Sequence, residues 1–206
     1  MPLIIGHGTR QVTTLSRALW PFIAGALIAA TVAAQPIVID TGGVVFSVAA
    51  PTGWRRETPS TPNSRVRFIS PAKTPYAECA VIVQDMPALR GHTQKEFDLE
   101  IATQTDAREL EQQLATQYKS PTVQAIAMRA VAGFPAQEVR YLAETKSAGR
   151  PIWTNSITRT WMTTPSYVWT LVCGGQGSDR IQAGNALDYW RHEISSFPLG
   201  FKILRK

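Results

Sequence analysis

Few residues in this chain have the types and spacing that chemistry requires. Its three histidines are His7, His92 and His192. A zinc site needs three or four converging ligands, and neither His92 nor His192 has a second histidine three or four positions away. His192 stands beside Glu193, but adjacent helix positions point apart. Both therefore read as surface or helix-end histidines. No Gly-x-Ser-x-Gly turn is present to raise a serine nucleophile. The sequence assigns no catalytic residue, no metal ligand and no cofactor.

Cys79 and Cys173 lie in strand-like runs, AECAVIVQ and YVWTLVCGG. As nucleophiles they would need an accessible, electropositive setting, and their apolar flanks argue against one. In an oxidising compartment an even cysteine count favours a disulfide. The alternative is two separate buried thiols. Downstream of Cys173 the run Gly174-Gly175-Gln176-Gly177-Ser178-Asp179 resembles a glycine-rich turn entering a helix, a place where free N–H groups can hold an anion. It lacks the lysine and the spacing of a phosphate loop, and Asp179 would repel an anion. A flexible turn with a serine cap is the expectation.

Trp153, Asn155, Arg159 and Trp161 share strand parity, so they share one face. Aromatic rings interleaved with polar groups can hold a small ligand or a sugar; on a covered sheet the same pattern is core. The opposite parity, Thr154, Ser156, Thr158 and Thr160, is small and polar and predicts a wet face.

The elements that carry these residues follow an unusual start. Residues 1–17 contain Arg10 and Arg17 and no acid, 18–34 carry no charge, and the stretch ends Val32-Ala33-Ala34. A basic start, an apolar middle and a small-residue end read as a secretory signal, cut after Ala34. An uncleaved anchor is the alternative, but the apolar run is only about 17 residues long and Pro21 and Gly25 interrupt it. Export makes the protein periplasmic or secreted, with residues 35–206 as one domain and no membrane span after cleavage. The chain carries 21 basic and 15 acidic residues; without the leader the balance is 19 to 15, or +4. The basic residues are scattered, which argues against nucleic-acid binding.

Within 35–206, residues 37–39 and 44–48 flank Asp40-Thr41-Gly42-Gly43 and predict a hairpin. A Pro51-Thr52-Gly53-Trp54 turn presents a tryptophan, and strands follow at 65–70 and 78–85. Thr93 and Glu96 have capping-box spacing. Phe97 and Ile101 share one helical face while Leu110, Leu114 and Tyr118 share another, so a break is expected near Thr103 to Asp106, with Pro121 ending the segment. Residues 122–131, 135–146, 150–163 and 167–174 read as a four-strand antiparallel meander. Ser178 can cap a final helix over 179–194, with Ala183, Ala186, Leu187, Trp190 and Ile194 on one stripe. The basic tail FKILRK follows. One antiparallel sheet with helices packed on it, α+β in class, is the predicted fold.

The order of these features resembles the PsbP/DcrB-like superfamily. The likeness rests on Phe46-Ser47-Val48 leading through Pro51 to Trp54, on Gly133-Phe134-Pro135-Ala136 entering the meander, on the late strand with Tyr167, Thr170 and Cys173, and on the helix ending Ser196-Phe197. It covers residues 44–198 and implies an α-β-α sandwich and an accessory role in binding larger assemblies, with no catalytic residues to carry over. The expected function is that of an exported, non-catalytic accessory protein of the bacterial envelope that binds an envelope protein. The alternatives are a small-ligand binder using Trp153, Asn155, Arg159 and Trp161, and an envelope hydrolase.

Overall fold

The structure, a computed structural model, describes residues 35–59, 61–103, 106–145 and 154–205, with the backbone alone at 154–156 and 205. The expected leader, residues 1–34, and Trp153 lie outside the described residues.

Two strands, β1 (Pro36–Asp40) and β2 (Val45–Ala49), form the predicted hairpin, paired from Pro36↔Ala49 to Asp40↔Val45. Asp40 Oδ1 accepts from the Gly42 N–H at 2.8 Å, and Gly42 adopts φ +81°, a conformation that favours glycine. The next strands are β3 (Arg55–Glu57), β4 (Ser64–Ile69), β5 (Tyr76–Asp85), β6 (Tyr118–Val131), β7 (Phe134–Thr145), β8 (Thr154–Thr164) and β9 (Tyr167–Gly177). They form a seven-stranded antiparallel sheet in the order β3-β4-β5-β9-β8-β7-β6. The meander is present. Its first turn places Ala132 and Gly133 at φ +52° and +84°, the double positive φ of a tight hairpin turn that matches strand twist.

The basic tail corrects the single-sheet expectation. Lys202–Arg205 form β10, which pairs antiparallel with β2 and makes a separate three-stranded sheet, β1-β2-β10. Phe201 anchors it: the ring is buried, 5.6 Å from both Phe46 and Trp169. Pro121 does not end a helix either. It sits inside β6, which begins at Tyr118, and the register shifts between Lys119 and Thr122 absorb it. Tyr118 therefore leaves the helical stripe and packs its ring 5.7 Å from Tyr141.

The helical segment breaks as predicted into α1 (Gln94–Ala102) and α2 (Ala107–Leu114). Thr93 and Glu96 form the capping box, and Asp106 caps α2 by accepting from the Arg108 N–H. Leu110 and Leu114 bury against Val139, Tyr141, Ala143 and Ile157 on one face of the sheet. The final helix is two helices, α3 (Arg180–Tyr189) and α4 (Arg191–Ser196), and the cap is Asp179, which accepts from Gln182 N at 2.8 Å, not Ser178. The break falls at Trp190. Its indole N–H donates to the Pro75 carbonyl at 2.8 Å, and its ring meets the buried Trp54 edge-on at 5.5 Å. The predicted stripe of Ala183, Ala186, Leu187, Trp190 and Ile194 is buried. The sandwich thus has α1 and α2 on one face and α3 and α4 on the other.

The glycine run is not a flexible turn. It is the end of β9, and the backbone of α3 rests on it. A Cβ at Gly175 would lie 2.6 Å from Leu187 N, and one at Gly177 would lie 2.4 Å from Ala183 N. Only glycine permits this approach. The small residues of β8 have the same cause, since α3 also lies over that strand. Of the face expected to be wet, Thr160 is buried and Thr158 half-buried. Just before the glycine run on β9, Cys173 faces Cys79 of β5, and the two form a disulfide. It joins residues 94 apart in sequence, worth about 4–5 kcal/mol in the chain-entropy account.

The same chemical change should therefore have opposite signs at two glycines. Gly177→Ala forces the start of α3 off the sheet and should lower stability by about 2–3 kcal/mol. Gly184 lies within α3 with nothing within 4 Å of an added Cβ, so Gly184→Ala should raise stability by about 1 kcal/mol. Urea unfolding midpoints of the two variants read both effects.

Candidate functional site

Helices α1 and α2 cover β6, β7 and β8, so the half of that face formed by β4, β5 and β9 is not roofed by them. Strand register sets what it presents. Arg67, Ala80, Val172 and Arg159 form one row across β4, β5, β9 and β8, and Ile69, Glu78, Gly174 and Ile157 form the next. The small residues Ala80 and Gly174 leave a depression between larger neighbours. The result is a cleft of about 300 Å³ lined by Ser64, Arg67, Glu78, Ile157, Arg159 and Gln176 among others.

One wall is a saturated polar cluster. Arg67 donates to Glu78 through two nitrogens and to the Tyr76 hydroxyl at 2.9 Å, and Tyr76 donates to Glu78 at 2.8 Å. Glu57 lies 3.7 Å from Arg67 on the far side. Burial works against the Arg67 charge, but Glu78 outweighs it and holds the guanidinium above its ordinary value. Burial, helped by the Glu78 charge, pushes the Tyr76 hydroxyl up to about 12.

The other wall is Arg159. Its guanidinium carbon stands 5.7 Å from the centre of the Tyr141 ring, a cation–π contact. Its Nε is buried with no hydrogen-bond partner, and no ion pair of Arg159 occurs among the described residues. Burial pushes the Tyr141 hydroxyl well above its ordinary value, opposed by the Arg159 charge. Trp161, one row on, is half-buried and lines a neighbouring hollow of about 270 Å³ with Leu110, Leu114 and Arg159. The backbone of Asn155 pairs with Gln176 on β9, which places it on this face. Of the four residues expected to share a ligand face, Arg159 and Trp161 border adjoining hollows, Asn155 is on the same face by register, and Trp153 is outside the described residues.

Sequence reasoning missed Arg67, Tyr76, Glu78 and Ser64. Alternation signalled two of them: Tyr76, Glu78, Ala80 and Ile82 are every second residue of β5, whereas Ser64 and Arg67 reach the same cleft from β4 across a register shift. His92 and His192 are both exposed; His92 stands 3.7 Å from Glu96 beside the α1 cap. Among the described residues no group of three or more metal-ligating side chains occurs, and no helix is long and apolar enough to cross a membrane.

The opposite face holds a larger hollow of about 440 Å³ between α3, α4 and the outer strands. Ala125, Ala127, Thr158 and Thr160 line it, with Arg129, Arg140 and Arg191 set against Glu138 and Asp188. Arg140 and Arg191 both bond Asp188, at 2.9 and 2.8 Å, and Arg129 bonds Glu138.

No family model and no curated protein matches the chain. Solved structures similar to it include the solution structure of PsbP (CyanoP) from Synechocystis sp. PCC 6803, 12% identical over 88% of this chain and 99% of that one, with a TM-score of 0.47. LpqN of Mycobacterium tuberculosis, described as involved in cell envelope biogenesis, is 11% identical over 82% and 90% of the two chains, also at 0.47. A Pseudomonas aeruginosa protein of unknown function is 11% identical over 79% and 96%, at 0.41.

Tyr76 supplies a direct check on the polar wall. The difference in alkaline ultraviolet titration between the wild type and Tyr76→Phe should show one phenol ionising near 12 rather than at its ordinary 10. Because the folded-state value is raised, its stabilising contribution is complete below pH 10 and falls away as pH rises to 12. Glu78→Gln removes the neighbouring charge and should move the titration downward.

Proposed function

We propose that the protein is an exported, non-catalytic accessory protein of the bacterial envelope that acts by binding a partner protein along β6. The single observation that carries this reading is the asymmetry of the sheet's two edges. The edge strand β3 has three residues, while β6 has fourteen, and no described strand pairs with the outer side of β6. An unpaired edge is a template for another chain, and proteins normally blunt it.

Here the blunting is confined to one end. Pro121 and the register shifts at Lys119/Thr122 and Val123/Ala125 distort the first half. Arg180 bonds the Ser120 carbonyl at 2.9 Å, and Glu111 accepts from the Val123 N–H at 2.8 Å. From Ala125 to Val131 the ladder is regular, and Ala125, Ala127, Met128 and Ala130 are exposed. An extended segment added there gains main-chain hydrogen bonds. Every second side chain of it would face the 440 Å³ hollow, where three arginines stand against two carboxylates. The favoured partner is therefore an extended segment with an acidic residue on that side. The disulfide supports an oxidising compartment, in keeping with the leader read from residues 1–34.

Introducing negative charge at the open edge tests this. Ala125→Glu/Ala127→Glu should keep the wild-type melting temperature, since both positions are exposed, and should lose partner recovery from cross-linked native envelopes by about tenfold or more. Arg56→Glu on the short edge strand should leave recovery unchanged. Equal recovery from the two variants, or cross-links only to a second copy of the chain, would contradict the reading.

A further inference from the structure

The cleft beside Arg159 carries an inference independent of the β6 edge. Buried polar atoms in native proteins are almost always hydrogen-bonded, and an unsatisfied one calls for a water, ion or ligand. Two residues of its lining each carry such an atom, Arg159 at Nε and Ser64 at Oγ. Ser64 is on β4 and Arg159 on β8, so they stand at opposite sides, three strand spacings apart, or about 14 Å between backbones at about 4.8 Å per strand. Between them the floor is apolar: Ala80, Ile82, Ile157 and Val172.

We propose that this cleft binds a small monocarboxylic acid with a polar far end, its carboxylate on Arg159, its body on Ala80, Ile82, Ile157 and Val172, and its far hydroxyl or carbonyl at Ser64. The chemistry selects this class step by step. A guanidinium without an ion pair matches a carboxylate in two-pronged geometry. Arg67 is already engaged by Glu78, Tyr76 and Glu57, Arg159 has no ion pair among the described residues, and the Glu78 carboxylate on the facing wall disfavours a second negative charge on the ligand. The cation–π contact with Tyr141 restrains the guanidinium before the ligand arrives. A volume of about 300 Å³ is at the small end of ligand sites. After the Arg159 side chain has reached inward, the remaining span suits a chain or ring about as long as a hydroxyphenyl acid.

The test is calorimetric titration of the purified protein with 4-hydroxyphenylacetate and 8-hydroxyoctanoate, each beside its neutral amide. Both acids should bind and the amides should bind at least about tenfold more weakly, the size expected when a charged hydrogen bond is lost. Arg159→Gln should weaken the acids by about the same factor, and Arg159→Lys should restore part of it. Nitrogen-15 spectra of the wild type supply a site-specific readout that needs no variant: the Arg159 Nε–H resonance should shift with the acids and not with the amides. Failure of both acids to bind at millimolar concentration, equal binding of acid and amide, or an unmoved Arg159 resonance would overturn the proposal.

Discussion

The seat of α3 on β9 is the constraint on which the rest of the structure depends. Gly175 and Gly177 bring the helix backbone to a separation that no side chain would allow. Ala183 and Ala186 on the helix answer the glycines on the strand, and both are buried. That approach fixes the height of the helix over the sheet. It then fixes where the chain must turn, because Trp190 has to reach the Pro75 carbonyl and the Trp54 ring at once. The helix breaks there, and α4 carries Phe197 onto Phe68. The disulfide ties β5 to this same strand beside the glycines. Helix, central strands and cross-link act as one block.

The two consecutive glycines serve opposite faces. Gly175 admits α3, and Gly174 forms part of the floor of the cleft on the other side. Seven strands are more than two short helices can cover on that second face. α1 and α2 cover the side nearer β6, and on the other side Arg67, Tyr76 and Glu78 pair with one another beside an apolar floor. The surfaces left for binding follow from this distribution: a cleft whose Arg159 has no ion pair among the described residues, and a long edge strand protected along only half its length.

Much of the fold was legible because periodicity and capping are local. The hairpin around Gly42, the break between α1 and α2, the meander and the buried stripe of the last helices all follow from alternation, cap spacing and turn residues. What was not legible depended on contacts distant in sequence. FKILRK reads as a basic tail until Phe201 meets Phe46 and Trp169. CGGQG reads as a flexible turn until α3 rests on it, and the small threonines of β8 read as a wet face for the same reason. Tyr118 fits a helical stripe by spacing, yet Tyr141, 23 positions on in the sequence, takes it into a strand. For the candidate site, the parity of Asn155, Arg159 and Trp161 was readable, and the expected disulfide already joined β5 to β9, but the facing wall was not, because Arg67 on β4 meets Tyr76 and Glu78 on β5 only through strand order and register.

The most direct measurement for the account is a photo-activated cross-linking residue placed at Met128, which lies in the regular, open part of β6 and is 39% exposed, compared in living cells with the same residue at Val38, 60% exposed and on the separate three-stranded sheet. The account predicts one dominant cross-linked partner protein from position 128 and none from position 38. No cross-link at 128, or the same products from both positions, would contradict it.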